Sequence, residues 1–336
     1  MQATTSAAIS TFQRRSLPLP AQYALGILAI GVGAPLVRIL ETLGLTERFV
    51  GSAAARAQRR LARKNPFANY VPTGHDVFVA TYAKSGTNWM MQIAHQLAFH
   101  GQGEFDHIHC VVPWPDVPGG RGRRYAVPLD VPSVWMASPE QKRIIKTHLN
   151  WELIPYSPEA RYIAVIRDPK DVFVSNYFFG KGLIGPMIPP PETWYRIFLA
   201  GKSPLGGSWA VNAAGYWAQR HRPNVLIVSF KSMKRDLPGT VRKVAEFMNV
   251  HATEEVIGEV CAKASFDYMK RIDEKFRPGR TFPWRPEGAM IRKGAQGGSS
   301  ELLTPERQRE IDTRFMAELK QLGSDFPYEE FCDLAR

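Results

Sequence analysis

The chain has 336 residues, of which 44% are hydrophobic and 22% charged; this excludes wholesale disorder and collagen-like repeats and suits one large α/β domain or two small ones. Its three widely spaced cysteines cannot form a disulfide framework or a four-cysteine zinc site, so we expect a reduced, cytosolic catalytic body. The net charge of +12 suits nucleic acid, anionic lipid or a small polyanion as partner, and motifs must decide among them.

The N-terminal region concentrates the positive charge. Residues 1–64 carry nine basic and two acidic side chains, and the uncharged segment 16–37 is long enough to cross a bilayer. The basic stretch 52–64 is typical of a helix on an anionic membrane surface. Three interpretations stay open: an apolar helical hairpin packed on the following domain, membrane attachment, and a twin-arginine export signal at Arg14 and Arg15.

From residue 75 onward, short apolar runs alternate with helical patterns. This alternation predicts an α/β fold with a central parallel sheet flanked by helices. Ligands of such folds bind at the carboxyl ends of the strands, so the residues that follow each strand matter most. The predicted strands are 75–80, 142–146, 161–167 and 224–230, and the predicted helices lie near 87–99, 170–179, 206–220, 239–248 and 305–321.

The sequence TYAKSGTNW follows the first predicted strand. A tight turn at Lys84, Ser85 and Gly86, leading into a helix near Thr87, would direct a lysine and backbone N–H groups at an anion. It differs from the nucleotide-binding P-loop because the lysine precedes the glycine. Taken alone, the turn is equally well explained as a helix cap.

Basic and hydroxyl side chains also follow the next two strands. Lys146 and His148 are two residues apart in KTH, so both can face one side of an extended segment, where the histidine is a candidate general base. Arg167 ends the third strand and Ser175 lies on the helix after it, an arrangement that can bind a second phosphate. Near the C-terminus, IRKGAQGG is a further glycine-rich candidate for anion binding.

Together, these motifs resemble the cytosolic-type sulfotransferases, which use 3′-phosphoadenosine 5′-phosphosulfate (PAPS) as sulfuryl donor. The resemblance covers about residues 70–322. It implies a P-loop-like parallel sheet, and we expect a sulfotransferase domain over 71–336 preceded by an apolar and basic helical extension over 1–70. No metal is expected. One alternative is a nucleotide kinase or NTPase on a related P-loop fold, which would need a standard P-loop and a magnesium-binding carboxylate. Another is a catalytically silent binding protein, for example for nucleic acid through the basic N-terminal region.

The resemblance also implies the roles of individual residues. His148 matches the catalytic base, Lys84 would neutralise the bridging oxygen, and Lys146 would steady the transferring group. The residues implied to bind the cofactor are Lys84, Ser85, Gly86, Thr87 and Asn88 at the 5′-phosphosulfate, Trp89, Phe230 and Phe266 at the adenine, and Arg167, Ser175, Arg292, Lys293 and Gly294 at the 3′-phosphate.

The chain departs from the family pattern at several positions. Ala83 stands in place of a proline, Asn88 of a threonine, Phe230 of a tyrosine and Ser299 of a tryptophan. The usual dimer motif, K-x-x-x-T-V-x-x-x-E, is absent from the segment after the glycine-rich loop, so the oligomeric state is not assigned. Cofactor binding is still expected because the motif residues themselves are present.

The acceptor is expected to be a hydroxyl or amine of a small, lipophilic molecule in an apolar pocket, and no nucleic-acid partner is expected. Phe179, four residues after Ser175, is a candidate to line this pocket, and the stretches 111–135 and 182–191 are candidate lids or ordinary packed loops. We expect a cytoplasmic enzyme, with contact to a membrane surface through residues 16–64 as the open question.

Overall fold

Four parallel strands form the centre of the described part of the protein. The computed structural model describes residues 12, 17–117, 125–131, 133–278, 282–283, 290–292 and 297–335. Their strand order is β2-β1-β3-β4. The strands are β1 at Asp76–Thr81, β2 at Arg143–Thr147, β3 at Arg161–Ile166 and β4 at Val225–Ser229. The predicted α/β class and all four predicted strands are confirmed, with ends that differ by about one residue.

The central strand β1 is covered on both faces. Val77 and Val79 belong to one hydrophobic cluster, whereas Phe78 and Ala80 belong to another, because successive side chains of a strand point to opposite faces. This double burial explains why the strand reads as a continuous apolar run. The register pairs Ala80 with Thr147, and all strands run in parallel, so the residues that follow them meet at one edge of the sheet.

Helices surround the sheet, and the predicted ones are present. In chain order they are α1 at Leu19–Thr42, with a π-helical turn at Ala29–Gly33, α2 at Thr46–Arg63, α3 at Thr87–Ala98, α4 at Ser133–Met136, α5 at Pro169–Ile184, α6 at Pro191–Leu199, α7 at Trp209–Trp217, α8 at Phe230–Arg235, α9 at Leu237–Met248, α10 at Glu254–Ala264, α11 at Phe266–Arg271, α12 at Pro305–Gln321 and α13 at Tyr328–Phe331.

Helix α5 continues to Ile184, five residues beyond the predicted end, and two further helices differ from the sequence prediction for identifiable reasons. Helix α7 begins three residues later than expected because Ser208 is its N-cap, accepting a hydrogen bond from the Val211 N–H. Helix α6 begins at Pro191, the last residue of the segment considered as a lid. Its start was not recognised because the preceding prolines are typical of a loop, whereas Pro191 itself occupies the first helical position.

The N-terminal helices contact the domain near α6. Glu41 on α1 accepts a hydrogen bond from Thr193, and Glu47 on α2 lies 3.4 Å from the Arg196 guanidinium. Gly33 lies so close to Met187 that a Cβ there would be 2.6 Å from the sulfur. Within the described residues, one helix, α1, is long and apolar enough to cross a membrane, judged by length and composition alone.

Candidate functional site

A cavity of about 1770 Å³ lies at the carboxyl ends of the strands. Drug-sized ligand sites occupy roughly 300–1,000 Å³, so this cavity can hold a nucleotide and a second molecule together. Of the predicted site residues, Lys84, Gly86, Thr87, Asn88, Trp89, Lys146, His148, Arg167, Ser175, Phe179, Phe230, Phe266 and Arg292 line it. Ser85 is fully buried behind this surface, and Lys293 and Gly294 lie outside the described residues.

The turn between β1 and α3 depends on left-handed backbone. Lys84 has φ +72° and Gly86 has φ +100°. A Cβ at Gly86 would lie 2.8 Å from the Phe230 ring, so only glycine fits both the conformation and the space. The turn brings the N-terminus of α3 to the cavity, where its free N–H groups favour an anion.

Lys84 is surrounded by apolar and positively charged groups. Its Nζ lies 4.4 Å from the centre of the Phe179 ring. Burial, followed by the charges of Arg167 and Arg292, lowers the pKa of Lys84 to about 8, although Asp273 opposes the shift. The lysine is thus mainly charged at pH 7, and a bound anion would stabilise that charge further.

Arg167 is held in place by three contacts. Its Nη1 donates to the Lys84 carbonyl at 3.1 Å, its Nη2 lies 3.5 Å from Asp171, and the guanidinium stacks 4.5 Å from the centre of the Phe230 ring. Burial lowers the pKa of Arg167, with Asp171 opposing the shift. A guanidinium fixed beside the turn can recognise a phosphate with little loss of side-chain entropy.

Arg292 reaches the same cavity but is engaged elsewhere. Both of its short hydrogen bonds, at 2.8 and 2.6 Å, go to the carboxylate of Glu301, and its guanidinium lies 4.4 Å from the centre of the Phe178 ring. Sequence reasoning did not anticipate this ion pair. A phosphate bound by Arg292 would therefore share or replace the Glu301 contact.

His148 has a defined tautomer. Its Nδ1 lies 2.9 Å from the Thr81 carbonyl oxygen, which can only accept, so Nδ1 carries the proton and Nε2 keeps its lone pair. The backbone N–H of His148 donates to Asp116 at 2.8 Å. Burial, followed by the charge of Lys146, lowers the pKa of His148 to about 3, so the imidazole is neutral at pH 7.

Asp116 is a site residue that sequence reasoning missed, and Trp114 was considered there only as part of a candidate lid. The Lys146 ammonium lies 3.4 Å from the centre of the Trp114 ring, and the same ring meets His148 edge-on at 5.6 Å. Asp116 is buried; one carboxylate oxygen accepts the His148 N–H, and the other has no hydrogen-bond partner among the described residues. The aromatic and proline-rich stretch 111–135 pointed to this region only as a candidate lid.

The predicted adenine residues lie at another part of the cavity. The Trp89 indole N–H donates to the Ala264 carbonyl at 2.7 Å, which fixes the ring, and its centre lies 5.6 Å from that of Phe230. Phe266 also lines the cavity and is 37% exposed. An aromatic surface of this kind suits a flat heterocycle.

Helix α2 forms a wall that sequence reasoning assigned only to the extension. Gln58 on this helix packs so closely on the loop before α7 that a Cβ at Gly207 would lie 2.7 Å from its amide nitrogen. The sequence did contain an indication of this packing, because the small and apolar residues of the basic stretch leave one face of the helix able to pack. We call this the α2 wall; its lining residues are Ala54, Arg56, Ala57, Gln58, Arg60, Leu61 and Lys64.

The kinase alternative would need a magnesium-binding carboxylate, and Asp168, the carboxylate after β3, is engaged by its own helix. No group of three or more His, Cys, Asp or Glu within the described ranges could hold a metal ion. Asp168 caps α5 by accepting the Lys170 N–H at 2.9 Å and lies 3.2 Å from the Lys170 ammonium. The hydrogen-bonding capacity of this carboxylate is thus used at the start of α5.

A family model described as the sulfotransferase domain matches residues 74–323. Among curated proteins, rabbit (Oryctolagus cuniculus) sulfotransferase 1C2 is 28% identical over 271 residues, covering 76% of this chain and 86% of its own. Human (Homo sapiens) sulfotransferase 2A1 is 27% identical, covering 77% and 90%. Luciferin sulfotransferase from Photinus pyralis is 30% identical, covering 77% and 75%.

Solved structures share the fold. Retinol dehydratase in complex with androsterone and the inactive cofactor PAP superposes with a TM-score of 0.64 at 20% identity, covering 81% of this chain and 88% of the other. Mouse sulfotransferase SULT7A1 complexed with PAP gives a TM-score of 0.59 at 20% identity, covering 80% and 92%.

Proposed function

As a member of the sulfotransferase domain family, the protein is a PAPS-dependent sulfotransferase, and we propose that it transfers the sulfuryl group in line to a hydroxyl or amine of a small, lipophilic acceptor with His148 as the base. One observation carries the proposal: the turn at Lys84 and Gly86, the arginine at Arg167 and the histidine with a free Nε2 all face one cavity. The solved neighbours that contain PAP support the choice of donor.

The strand-end wall of the cavity, residues 83–89 with Lys146, His148, Arg167 and Phe230, would bind the donor. Gly86, where a Cβ would meet the Phe230 ring, and the N–H groups at the start of α3 would form a cradle for the phosphosulfate. Arg167, fixed next to this cradle, would bind the 3′-phosphate together with Ser175 and, after exchange of its Glu301 contact, Arg292. Lys293 and Gly294, beyond the described residues, complete the proposed set.

The catalytic roles follow from charge and tautomer. His148 accepts the acceptor proton at Nε2 while the acceptor oxygen or nitrogen bonds to sulfur and the bond from sulfur to the 5′-phosphate oxygen breaks. Lys84 neutralises the departing oxygen, and Lys146 stabilises the sulfuryl oxygens. The transferring group carries less negative charge than a phosphoryl group, so lysines and backbone donors suffice without a metal ion.

Asp116 would act as a positioning residue for the base. By accepting the His148 N–H at 2.8 Å, it fixes the start of the segment after β2, and the Thr81 carbonyl fixes the ring itself. The negative charge of the donor would also raise the pKa of His148 from about 3 toward neutrality, making the imidazole a stronger base when the donor is bound.

The acceptor would bind beside the cradle, where it can reach both the sulfuryl group and His148. Phe179, which lies over Lys84, and Leu183 on the same helix supply apolar surface there. The names of the relatives, among them a luciferin and an amine sulfotransferase, support small-molecule acceptors in general. The retinol dehydratase neighbour that contains androsterone supports a lipophilic one.

We retain the division into a helical extension over 1–70 and a sulfotransferase domain over 71–336, and propose a cytoplasmic location, which the resemblance to the cytosolic-type sulfotransferases supports. Contact of residues 16–64 with a membrane surface is part of the proposal. The apolar character of α1 supports it. Nucleic acid is not a proposed partner.

An acceptor panel with radiolabelled PAPS tests the proposed function. The purified protein should label phenols, alcohols or amines, and should do so equally in the presence of a metal chelator. If the protein instead transfers a phosphoryl group from ATP, and this activity is lost in the chelator and restored by magnesium, the kinase alternative would replace the proposal. A protein that binds PAP but labels no member of a broad panel would contradict the catalytic role.

A further inference from the structure

Helix α1 exposes an unusual amount of apolar surface. The chain has no charged residue between Arg15 and Arg38, and only small or polar side chains of α1 are buried, such as Gln22 and Ala29. A helix that is apolar on every side is normally buried in a protein core or in a membrane. The exposed apolar side chains of α1 include Leu19, Tyr23, Ile27, Leu28, Ile30 and Ile39.

Helix α2, which follows α1 after a short turn, carries exposed positive charge. Four basic side chains lie in its last eight residues and a fifth is the residue after it, all exposed. Exposed apolar and basic surfaces on consecutive helices are complementary to a bilayer that contains anionic lipid. The basic residues are Arg56, Arg59, Arg60, Arg63 and Lys64.

The contacts of α1 with the domain limit how it can enter a bilayer. Gly33 is pressed against Met187, and Glu41 is hydrogen-bonded to Thr193, so the second half of the helix is held by the protein. The first part of α1, Leu19–Leu28, has 10 residues and is roughly 15 Å long. This is about half of a hydrocarbon core of roughly 30 Å. The geometry therefore favours insertion into one leaflet over a full crossing.

The mouth of the acceptor side of the cavity lies beside the same surface. Arg56, Gln58 and Arg60 are exposed and also line the cavity, which places its opening along α2. The facing wall includes Leu183, two residues before the 3₁₀ turn Gly185–Met187 that packs against α1. The short segment 183–187 thus contributes both to the cavity wall and to the packing of α1.

We propose that α1 and α2 dock the enzyme on one leaflet of an anionic bilayer and that the cavity takes its acceptor from that leaflet. The acceptor would be an amphiphile whose hydroxyl or amine enters along α2 while its apolar part stays in lipid until it is bound. This inference rests on the proposed function for the identity of the reaction, but membrane docking itself does not.

Flotation with vesicles tests the docking. Full-length protein should float with vesicles of phosphatidylcholine and phosphatidylglycerol, and less with phosphatidylcholine alone. The double variant Ile27→Asn/Ile30→Asn should lose at least about tenfold in bound fraction on both, whereas Arg59→Gln/Arg63→Gln should lose only the preference for the anionic vesicles. None of these four residues lines the cavity. The matched controls are Arg309→Gln on α12 and Leu322→Asn just after it, both at exposed positions.

Activity distinguishes delivery from docking alone. With a water-soluble phenol, all variants should keep wild-type turnover; with cholesterol embedded in the vesicles, Ile27→Asn/Ile30→Asn should lose at least about tenfold. Unchanged turnover of embedded cholesterol would overturn delivery from the membrane. Absence of flotation would overturn docking. Docking would also be overturned if size-exclusion chromatography showed a dimer that Ile27→Asn/Ile30→Asn dissociates and that lipid does not affect. If the wild-type protein did not sulfate the soluble phenol either, this would count against the proposed function. Flotation would still test membrane docking.

Discussion

The two walls of the cavity are built on different principles. The strand-end wall consists of residues that follow buried strands, and its charged groups are fixed by short contacts such as that of Arg167 with the Lys84 carbonyl. The α2 wall comes from outside the sheet, and several of its lining side chains, including Arg56 and Ala57, are exposed. In the proposed function, this difference would separate the chemistry, which needs a rigid arrangement, from the choice of acceptor, which would depend on α2.

The largest effect is expected from removal of the proposed base. His148→Ala should lower turnover by about 10²–10⁴-fold, because the acceptor proton loses its only positioned recipient in the proposed mechanism. Affinity for adenosine 3′,5′-bisphosphate (PAP), measured by calorimetry, should stay nearly unchanged, since the Thr81 and Asp116 contacts of His148 do not involve the nucleotide cradle. Near-wild-type turnover in this variant would remove His148 from the base role.

The strand-end wall should also discriminate strongly between nucleotides. The native protein should bind PAP at least about 10²-fold more tightly than AMP, which lacks only the 3′-phosphate, because a charged hydrogen bond contributes roughly 1.5–3 kcal/mol. Arg167→Ala should remove most of this difference, because it should weaken the binding of AMP much less than the binding of PAP.

Calorimetric titration of both nucleotides into both proteins measures this. Arg271→Ala is a matched control, since Arg271 is exposed and does not line the cavity. Equal affinity of the native protein for PAP and AMP would contradict the proposed 3′-phosphate site.

The strand-end wall was largely predictable from the sequence, and the α2 wall was not. Lys84, His148 and Arg167 follow strands that read as short apolar runs, and parallel strands bring their carboxyl ends to one edge. Their mutual position follows from the topology alone. The resemblance to a known family then supplied the roles, which remain proposals for this chain.

Long-range packing set the limit of prediction. The contact of Gln58 with Gly207 joins residues far apart in sequence, so no local pattern could place α2 on the cavity. The pairing of Arg292 with Glu301 and the hydrogen bond from the His148 N–H to Asp116 likewise depend on loops whose path has no periodicity. Charge and hydropathy identified the N-terminal helices but not their position.

A smaller effect should appear in the pH dependence of nucleotide binding. Burial and neighbouring cations lower the pKa of Lys84 to about 8, so the free enzyme loses this charge as the pH rises through 8 rather than through the usual 10.5. A bound anion favours the charged form, so binding above pH 8 must be accompanied by proton uptake. PAP affinity should therefore fall by about tenfold between pH 7 and pH 9.

Titration of PAP at both pH values by calorimetry, in two buffers of different ionisation enthalpy, measures the affinity and the proton uptake. In Lys84→Arg, whose guanidinium stays charged throughout this range, the fall should be largely absent. An equally steep fall in this variant would assign the effect to another group.

The smallest effect is expected at the α2 wall, and it should be confined to the acceptor. Ala57 is exposed and lines the cavity, so Ala57→Trp adds bulk at the mouth without disturbing the core. We expect the KM for a bulky lipophilic acceptor to rise by about fivefold, equivalent to about 1 kcal/mol, while PAP affinity and the turnover of a small phenol stay the same. Ala62→Trp, on the same helix and exposed but away from the cavity, should change none of these values. If Ala57→Trp instead weakened PAP binding as much as acceptor binding, the two walls would not act separately, because a block at the mouth would then reach the donor cradle as well.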